Sequence, residues 1–517
     1  MQVSIASRIM PLILSDSLPL KAAAPFVILN ERRSRRPGAG KGRGRSRTVH
    51  MSIKEHSIFN DVLGPVMVGP SSSHSAGCAR IGLAVRNLWG RDIRKAEVVY
   101  DAAGSYPATH VGQGSDRGFA GGLLGFATGD PRIKDSLEIA KKMGVEIGFR
   151  IEPLTHRHPN EARIEVYGDD GRVGMSVLTH STGGGTFRIL EVDGIPADID
   201  GGRDIEVVCP DGIKRRSGVV LPVPMRGCPP VFSDTASALA FAGDKKSLAE
   251  LALAYETSIG EVDEEGVREL VMSTLAVMRR SVVPPAGDAQ VFGFRRYQAE
   301  DMIKKASEGG LLDTGILGRA MMYAVSAMEN SCAHNVVAAA PTAGSCGVVP
   351  AALLSAGEAL GLSDDELADA LLACGMAGAV IANRATFAAE EAGCQAENGA
   401  ASAMAAAGLV HLMGGTAAQG FAAASLALQN MLGLICDPVG GLTEIPCIGR
   451  NVSAVSNAVT AANMVMAGFD PMIPFDETVE AMLAVGRQLP PGLRCTCGGG
   501  LCDTPCGRRL ADRSADL

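Results

Sequence analysis

The chain has 517 residues, of which 46% are hydrophobic but only 4% aromatic, and 63 are glycine. This length allows two or three domains, and the small side chains favour closely packed helices over an aromatic-rich β-sandwich. Residues 1–50 carry ten Lys or Arg against two Asp or Glu, so the remaining residues carry 38 against 54. An acidic body argues against nucleic acid or a membrane as partner and favours a small-molecule substrate.

Thirteen cysteines occur in a long chain without a typical secretory signal. This usage indicates a reducing compartment, so we expect a cytoplasmic protein rather than a disulfide framework. Residues 1–50 are predicted to be a basic, disordered extension, because the run at 32–47 is too poor in apolar side chains to fold. Met51 is interpreted as the true start, with a targeting peptide or a functional tail as the alternatives.

The elements predicted after residue 51 alternate between strands and helices. Strands are predicted from apolar runs at 96–100, 145–151, 162–167 and 174–178. Helices are predicted at 76–88, 118–126 and 133–143. The Pro- and Gly-rich segment 214–232 is interpreted as a linker.

Helical periodicity then extends from residue 236 to residue 486, with Gly- and Pro-rich breaks at 341–350, 389–399, 436–447 and 489–507. Its apolar stretches are rich in Ala and Gly, which is typical of buried bundle helices rather than membrane spans. The predicted fold class is α+β. An N-terminal α/β domain at 51–213 precedes a larger all-α helical bundle at 233–517, which includes a Cys-rich tail at 495–506.

Three cysteines lie where the helical pattern is interrupted: Cys394, Cys436 and Cys447. Pro and Gly in the segment CDPVGGLTEIPC prevent a helix, so its two thiols can turn toward a common centre. Soft thiolates select zinc, copper(I) or iron–sulfur clusters, and three of them around four irons would leave one iron open to substrate. Spacing alone, however, favours the alternative that these are small buried core residues.

A second set of polar residues follows Pro70 in the segment GPSSSHSAG: Ser71, Ser72, Ser73 and His74. Hydroxyls and backbone N–H groups at the start of a helix bind a carboxylate well, and His74 can exchange protons near neutral pH. The alternative, that the serines only cap the helix, stays open. His158 and Asn160 in THRHPN form a third polar group, which by itself is typical of a surface loop.

Together these segments resemble the iron–sulfur L-serine dehydratases. The matching stretches cover about residues 53–510 and include GPVMVGPSSSHSAGCARIG, HPNEARIEV, STGGGTF, AAAPTAGSCGVVPA, AGCQAENGAASAMAAAGLV and NMLGLICDPVGGLTEIPCIGRN. The family's α/β and helical regions are separate chains in some members and one chain in others, and this sequence resembles the fused form. The resemblance implies conversion of L-serine to pyruvate and ammonia in the cytoplasm, by a protein expected to be a homodimer.

The resemblance also implies roles for individual residues. Cys394, Cys436 and Cys447 would hold a [4Fe-4S] cluster. His74 is the favoured base for the α-proton, with His158 or a deprotonated Ser73 as rivals. The expected substrate-binding residues are Ser71, Ser72, Asn160, Pro341, Thr342, Ala343 and Gly344.

The tail departs from the family pattern. Some single-chain relatives end in a cysteine that occupies the fourth iron until substrate displaces it, whereas this chain ends in Ala-Asp-Leu. It instead contains Cys495, Cys497, Cys502 and Cys506. These thiols could bind zinc, supply a substitute fourth ligand, or be redox-active or incidental.

Two other classes of protein were weighed. A pyridoxal-phosphate dehydratase would use a lysine Schiff base, but residues 306–517 contain no lysine, so no pyridoxal phosphate is expected. An electron carrier or redox sensor would hold its cluster with four cysteines, commonly in CxxC repeats, and Cys394, Cys436 and Cys447 do not follow that pattern.

Overall fold

The computed structural model describes residues 56–209, 212–243, 246–285, 293–294 and 296–514. The predictions for residues 1–50 and Met51 lie outside the described residues. The described residues from 56 to 514 are grouped by their internal contacts into one compact unit.

The strands of the described chain are β1 Val66–Val68, β2 Lys95–Asp101, β3 Glu146–Glu152, β4 Glu161–Tyr167, β5 Val173–Gly183, β6 Thr186–Val192, β7 Ile195–Ile199, β8 Glu206–Val208, β9 Lys214–Arg216 and β10 Val336–Ala338. Six of them form one mixed sheet in the order β3-β2-β4-β5-β6-β7. The β2–β3 pair is parallel and its other pairs are antiparallel.

The helices of the described chain are α1 Gly77–Trp89, α2 Tyr106–Thr109, α3 Ser115–Leu123, α4 Ser136–Lys142, α5 Thr235–Ala242, α6 Leu248–Ile259, α7 Glu264–Ser281, α8 Ala299–Ser307, α9 Ile316–Cys332, α10 Val348–Leu360, α11 Asp364–Arg384, α12 Ala389–Ala392, α13 Asn398–Leu412, α14 Ala417–Gln429, α15 Cys447–Met466, α16 Phe475–Gln488 and α17 Pro505–Ser514. Helix α1 packs on the six-stranded sheet through β5 and β6, and α3 packs on α1.

The helical region is built around α13, which packs against α10, α11, α14 and α15. Its residues from Asn398 to Val410 are buried, and most of them are Ala or Gly. Small side chains let the helix axes approach closely: a Cβ on Gly408 would clash with Cys374 Sγ on α11. A central helix without a polar face is therefore stable here because it is surrounded by other helices.

One window of the described chain, Ala343–Leu360, is long and apolar enough to cross a membrane. Within the fold, 83% of this window is buried. It contains α10, which packs against α9 and α13, so its apolar composition is accounted for by contacts inside the helical region.

The sheet region and the helical region are joined by the antiparallel pair β1–β10. Val66 pairs with Ala338 and Val68 with Val336, although these segments are far apart in sequence. The turn that follows β1 carries Ser71–Ser73, and the loop that follows β10 carries residues 341–344. The pairing therefore brings two of the predicted substrate-binding segments to the same part of the molecule.

The predicted α+β fold class is confirmed: a mixed sheet with helices precedes a larger region that is helical except for the short strand β10. The four predicted strands correspond to β2–β5, and the three predicted helical stretches correspond to α1, α3 and α4. The sequence analysis missed β6 and β7. Strand β6 has irregular register with both neighbours, which weakens a simple alternating pattern.

Candidate active site

A pocket opens between the turn after β1 and the loops of the helical region. Its volume is about 460 Å³, including the open mouth. From the sheet region it is lined by Ser71, Ser72, Ser73, Gln113, Gly183 and Gly184. From the helical region it is lined by Thr342, Gly344, Phe387, Ala389, Glu390, Glu397, Cys436, Pro438, Thr443, Cys447 and Cys495.

The serine segment forms a single π-helical turn, Ser72–Ala76, that continues directly into α1. Ser71 caps this turn, since its Oγ accepts a hydrogen bond from His74 N at 3.3 Å. Ser71 therefore does cap the helix, which was the alternative that the sequence left open. All three serines nevertheless line the pocket as well, and π-helical turns occur frequently at functional sites.

His74 lies behind the serines, fully buried, and does not line the pocket. Its Nδ1 is 3.0 Å from Ser73 Oγ, and its Nε2 is 2.8 Å from Thr109 Oγ1. The Thr109 hydroxyl donates its own proton to Ser105 O at 2.7 Å, so its oxygen accepts from His74 Nε2–H. This arrangement leaves His74 Nδ1 as an acceptor facing the Ser73 hydroxyl.

Burial lowers the pKa of His74 from 6.5 to about 4, although the Glu390 carboxylate acts in the opposite direction. The imidazole is therefore neutral at pH 7. A neutral ring with Nδ1 unprotonated can accept a proton, which is the property of a general base.

Glu390 is a buried carboxylate that lines the pocket beside the serines. Its Oε1 accepts from Ser73 Oγ at 3.1 Å and from Asn160 Nδ2 at 3.2 Å. Asn160 is also buried, and its Oδ1 has no hydrogen-bond partner in the part of the chain that the structure describes. A buried acceptor of this kind is one that a bound donor would satisfy.

His158 belongs to the loop that precedes Asn160. Its Nδ1 accepts from Asn160 N at 3.0 Å, and its ring stacks on His180 with centroids 5.0 Å apart. Its Nε2 lies 3.7 Å from Glu391 Oε1. Glu161 accepts a hydrogen bond from His180 Nε2 at 2.9 Å and so holds the ring against which His158 packs.

The three predicted ligand cysteines lie on breaks between helices. Cys394 begins a short 3₁₀ turn before α13, Cys436 lies in the loop after α14, and Cys447 is the first residue of α15. All three are buried. The sulfur atoms of Cys394 and Cys436 and a carboxylate oxygen of Glu397 lie within 4.8 Å of one another.

Arg450 supplies positive charge beside these thiols. Its Nη1 lies 3.6 Å from Cys394 Sγ, and its Nη2 pairs with Asp437 Oδ1 at 2.8 Å. The Cys436 thiol, which donates toward Cys394, and the Arg450 guanidinium both lower the pKa of Cys394. Burial raises the pKa of Cys447. Cys394 is therefore the thiol of this group that ionises most readily.

Asn451 ties the thiol site to the loop after β10. Its Oδ1 accepts from Gly347 N at 3.0 Å, and its Nδ2 donates to Gly344 O at 2.8 Å and to Cys447 O at 2.9 Å. Because it is completely buried, these three bonds fix the position of Cys447 relative to the pocket wall at Gly344.

Glu397 contributes a second carboxyl group to the pocket. Its Oε1 accepts from Thr342 Oγ1 at 2.9 Å, and its Oε2 lies 3.8 Å from Cys394 Sγ. Burial, followed by the charge of Cys394, raises the pKa of Glu397 well above its usual value of 4.5. A carboxyl group in this environment holds its proton far more readily than an exposed one.

The Cys-rich tail packs directly against the thiol site. Cys495 belongs to the same buried cluster as Cys394 and Cys436. The thiols of Cys497 and Cys502 both donate to Pro438 O, at 3.2 Å and 3.3 Å.

Comparison with known proteins agrees with this geometry. Residues 243–502 match the family model described as "Serine dehydratase alpha chain". The "L-serine dehydratase" of Streptomyces coelicolor is 30% identical over 491 residues, which cover 87% of this chain and 98% of that protein. The chain belongs to the L-serine dehydratase family.

Relatives in this family also match the two regions separately. The "L-serine dehydratase, alpha chain" of Peptoniphilus asaccharolyticus is 38% identical over 263 residues, covering 50% of this chain and 90% of that protein. A Bacillus subtilis protein named "Probable L-serine dehydratase, beta chain" is 41% identical over 149 residues, covering 29% of this chain and 66% of that protein. This L-serine dehydratase family member thus combines in one chain regions that resemble two separate chains elsewhere.

Several residues predicted from sequence line the pocket of this L-serine dehydratase family member: Ser71, Ser72, Ser73, Thr342, Gly344, Cys436 and Cys447. The others do not line it: His74, His158, Asn160, Pro341, Ala343 and Cys394. Among these, His74 contacts Ser73, Asn160 contacts Glu390, and Cys394 packs against Cys436.

Sequence reasoning missed Glu390 and Glu397 as pocket residues of this family member. Both flank Cys394 in the segment EEAGCQAEN, within a break that the periodicity had already marked. A carboxylate next to a candidate ligand, in a predicted break between helices, was the available signal, although the structure places Glu390 in the four-residue helix α12. Gln113 gave no comparable signal, because it enters the pocket through long-range packing, whereas Thr443 lies in the predicted break between Cys436 and Cys447.

Proposed function

We propose that this chain is a single-chain L-serine dehydratase that eliminates water from L-serine and releases pyruvate and ammonia. The observation that carries this proposal is the pocket itself, which is lined on one side by Ser71–Ser73 and on the other by Cys436 and Cys447. The serine turn is suited to binding the carboxylate of a substrate, and the cysteine sulfur atoms across the pocket are suited to binding a metal.

The thiol site fits a [4Fe-4S] cluster held by Cys394, Cys436 and Cys447. The donors are buried, soft and adjacent to the Arg450 guanidinium, which offsets part of their negative charge. When bound, the cluster would supply a Lewis-acid iron that stabilises the charge developing on the departing hydroxyl group. No pyridoxal phosphate is involved in this proposal, because residues 306–517 offer no lysine for a Schiff base.

Glu390 would orient the substrate by binding the ammonium group of L-serine. It is a buried carboxylate at the pocket wall, and Ser73 and Asn160 both donate to its Oε1. Asn160 Oδ1 offers a further acceptor nearby. The substrate carboxylate would then lie on the hydroxyls and N–H groups of the Ser71–Ser73 turn, with the loop at Thr342 and Gly344 opposite.

The α-proton would leave through Ser73. The Ser73 hydroxyl lines the pocket and lies 3.0 Å from His74 Nδ1, which is unprotonated. At rest the single Ser73 hydroxyl proton is donated to Glu390 Oε1. Once the substrate ammonium occupies Glu390, this proton would turn to His74 Nδ1, 3.0 Å away. Ser73 would then accept the proton from Cα as its own proton passes to His74, so that His74 acts as the base without touching the substrate. His158 is the less suitable base, because its Nδ1 already accepts from Asn160 N and its Nε2 therefore carries the proton of the neutral ring.

The experiment that tests this function is pyruvate formation from L-serine by protein purified without oxygen. We expect activity that is lost in air and restored by iron and sulfide, because an open iron is vulnerable to oxidation. Activity that is indifferent to air and to iron chelation would overturn the cluster mechanism. A loaded cluster with no activity on L-serine would overturn the substrate assignment.

Further assignments are proposals on the same basis. We propose a cytoplasmic homodimer that binds neither nucleic acid nor membrane; all thirteen cysteines are free, which suits a reducing compartment. We also propose that the boundary between the two regions lies in the linker at 214–232, between 51–213 and 233–517. Analytical ultracentrifugation of the full chain would test the dimer.

A further inference from the structure

The tail that follows α16 is hydrogen-bonded to the backbone of a proposed cluster ligand. Cys436 N donates to Leu493 O at 2.9 Å, and Cys495 N donates to Cys436 O at 2.9 Å. Cys436 and Arg494 thus form a parallel bridge. Two bonds on either side of Arg494 fix the register of the tail, so Cys495 occupies a set position beside Cys436 rather than a variable one.

The Cys495 side chain is directed into the thiol site. It is only 7% exposed and packs with Cys394 and Cys436 in one buried cluster. It also lines the pocket together with Cys436 and Cys447. Its φ of 60° lies in the left-handed region, which is uncommon for a residue other than glycine and usually persists where surrounding contacts enforce it.

The other three tail cysteines are placed differently. The thiols of Cys497 and Cys502 both donate to Pro438 O, at 3.2 Å and 3.3 Å. Cys506 is exposed on α17. Neither of the first two belongs to the buried cluster that contains Cys394, Cys436 and Cys495. The position of Cys495 is therefore specific, and is not a general consequence of a Cys-rich segment.

We propose that Cys495 is a fourth thiolate ligand of the cluster held by Cys394, Cys436 and Cys447 when no substrate is bound. This inference rests on the proposed function, because it requires the cluster. It assigns to the tail a role in covering the iron that three thiolates leave open. A loaded site would then have four sulfur ligands from the protein at rest.

The test compares the wild-type chain with Cys495→Ser after anaerobic reconstitution with iron and sulfide. Limited ferricyanide removes one electron and one Fe²⁺ from [4Fe-4S]²⁺ and leaves [3Fe-4S]⁺, which electron paramagnetic resonance detects. An iron without a thiolate is lost more readily. We therefore expect Cys495→Ser to retain its four-iron cluster but to convert several-fold faster than the wild type.

Two controls make the comparison specific. Cys506→Ser removes an exposed thiol from the same tail, and Cys497→Ser removes one that contacts Pro438; both should convert at the wild-type rate. Cys495→Ala, with circular dichroism of each variant, separates ligand loss from misfolding. In Mössbauer spectra, Cys495→Ser and Cys495→Ala should each show a distinct iron subsite that the wild type lacks.

The outcomes separate this inference from the proposed function. Conversion of Cys495→Ser at the wild-type rate, or equal acceleration in Cys497→Ser, would overturn the ligand role while the cluster stands. Failure of the wild-type chain to assemble a four-iron cluster would instead overturn the proposed function on which the ligand role depends.

Discussion

His74 shows how burial sets the state of a single residue. Its pKa of about 4 in the folded chain lies below the ordinary value of 6.5, so the unfolded chain binds the proton more tightly. The contribution of His74 to stability is therefore present above pH 6.5 and is lost as the pH falls toward 4. Between these values the folded ring stays neutral and able to accept a proton.

Replacing His74 tests the base role. We expect His74→Ala to retain its cluster and to lower kcat by about 10²–10⁴-fold, the usual contribution of a positioned general base. In the wild type, the acidic limb of the kcat/KM profile should lie well below pH 6.5, because the folded ring stays neutral there. Cluster absorbance measures retention of the cluster, and steady-state rates give kcat and the pH profile. Full activity of His74→Ala would remove this residue from the reaction.

Glu390 is the residue that we propose orients the substrate. Glu390→Gln keeps an oxygen for Ser73 and Asn160 but removes the charge. A hydrogen bond to a charged group contributes about 1.5–3 kcal/mol, so KM for L-serine should rise about 10–100-fold. The control is Glu358→Gln, an exposed carboxylate on α10 that contacts Tyr323. An unchanged KM in Glu390→Gln would argue against an ammonium contact.

At the scale of elements, α15 depends on one buried side chain for its attachment to the pocket wall. Asn451→Ala would leave the Gly347 N–H and the Gly344 and Cys447 carbonyls without these bonds. Each buried group left unsatisfied costs about 1–3 kcal/mol, so the free energy of unfolding should fall markedly. Chemical denaturation of the apo chain measures this loss. Asn463→Ala, exposed on the same helix, should be nearly neutral.

Elements were also the level at which sequence reasoning succeeded most often. Period-two and helical patterns located β2–β5 and α1, and Gly and Pro located the breaks that carry Cys394, Cys436 and Cys447. The π-helical geometry of Ser72–Ala76 was not predicted, because its residues form no pattern that distinguishes a π-helical turn from the first turn of an α-helix.

At the scale of the whole molecule, the site depends on contacts between distant segments. The sequence placed Ser73 and Cys436 at one pocket only through a family resemblance, since nothing in their spacing brings them together. The pairing of β1 with β10 supplies the physical link. Glu390 was missed for the same reason: its contacts with Ser73 and Asn160 cross between the two regions.

The order of the site residues along the chain has a consequence for synthesis. The turn at Ser71–Ser73 emerges from the ribosome early, whereas the proposed ligand Cys447 lies near the opposite end of the sequence. Regions of a growing chain fold as they emerge, beginning from the N-terminus. The six-stranded sheet can therefore form before the proposed sulfur donors have been synthesised, whereas the pairing of β1 with β10 requires residues 336–338. Insertion of the proposed cluster would await a nearly finished polypeptide. Loading of the proposed cluster would thus be a maturation step, separated in time from folding of the six-stranded sheet.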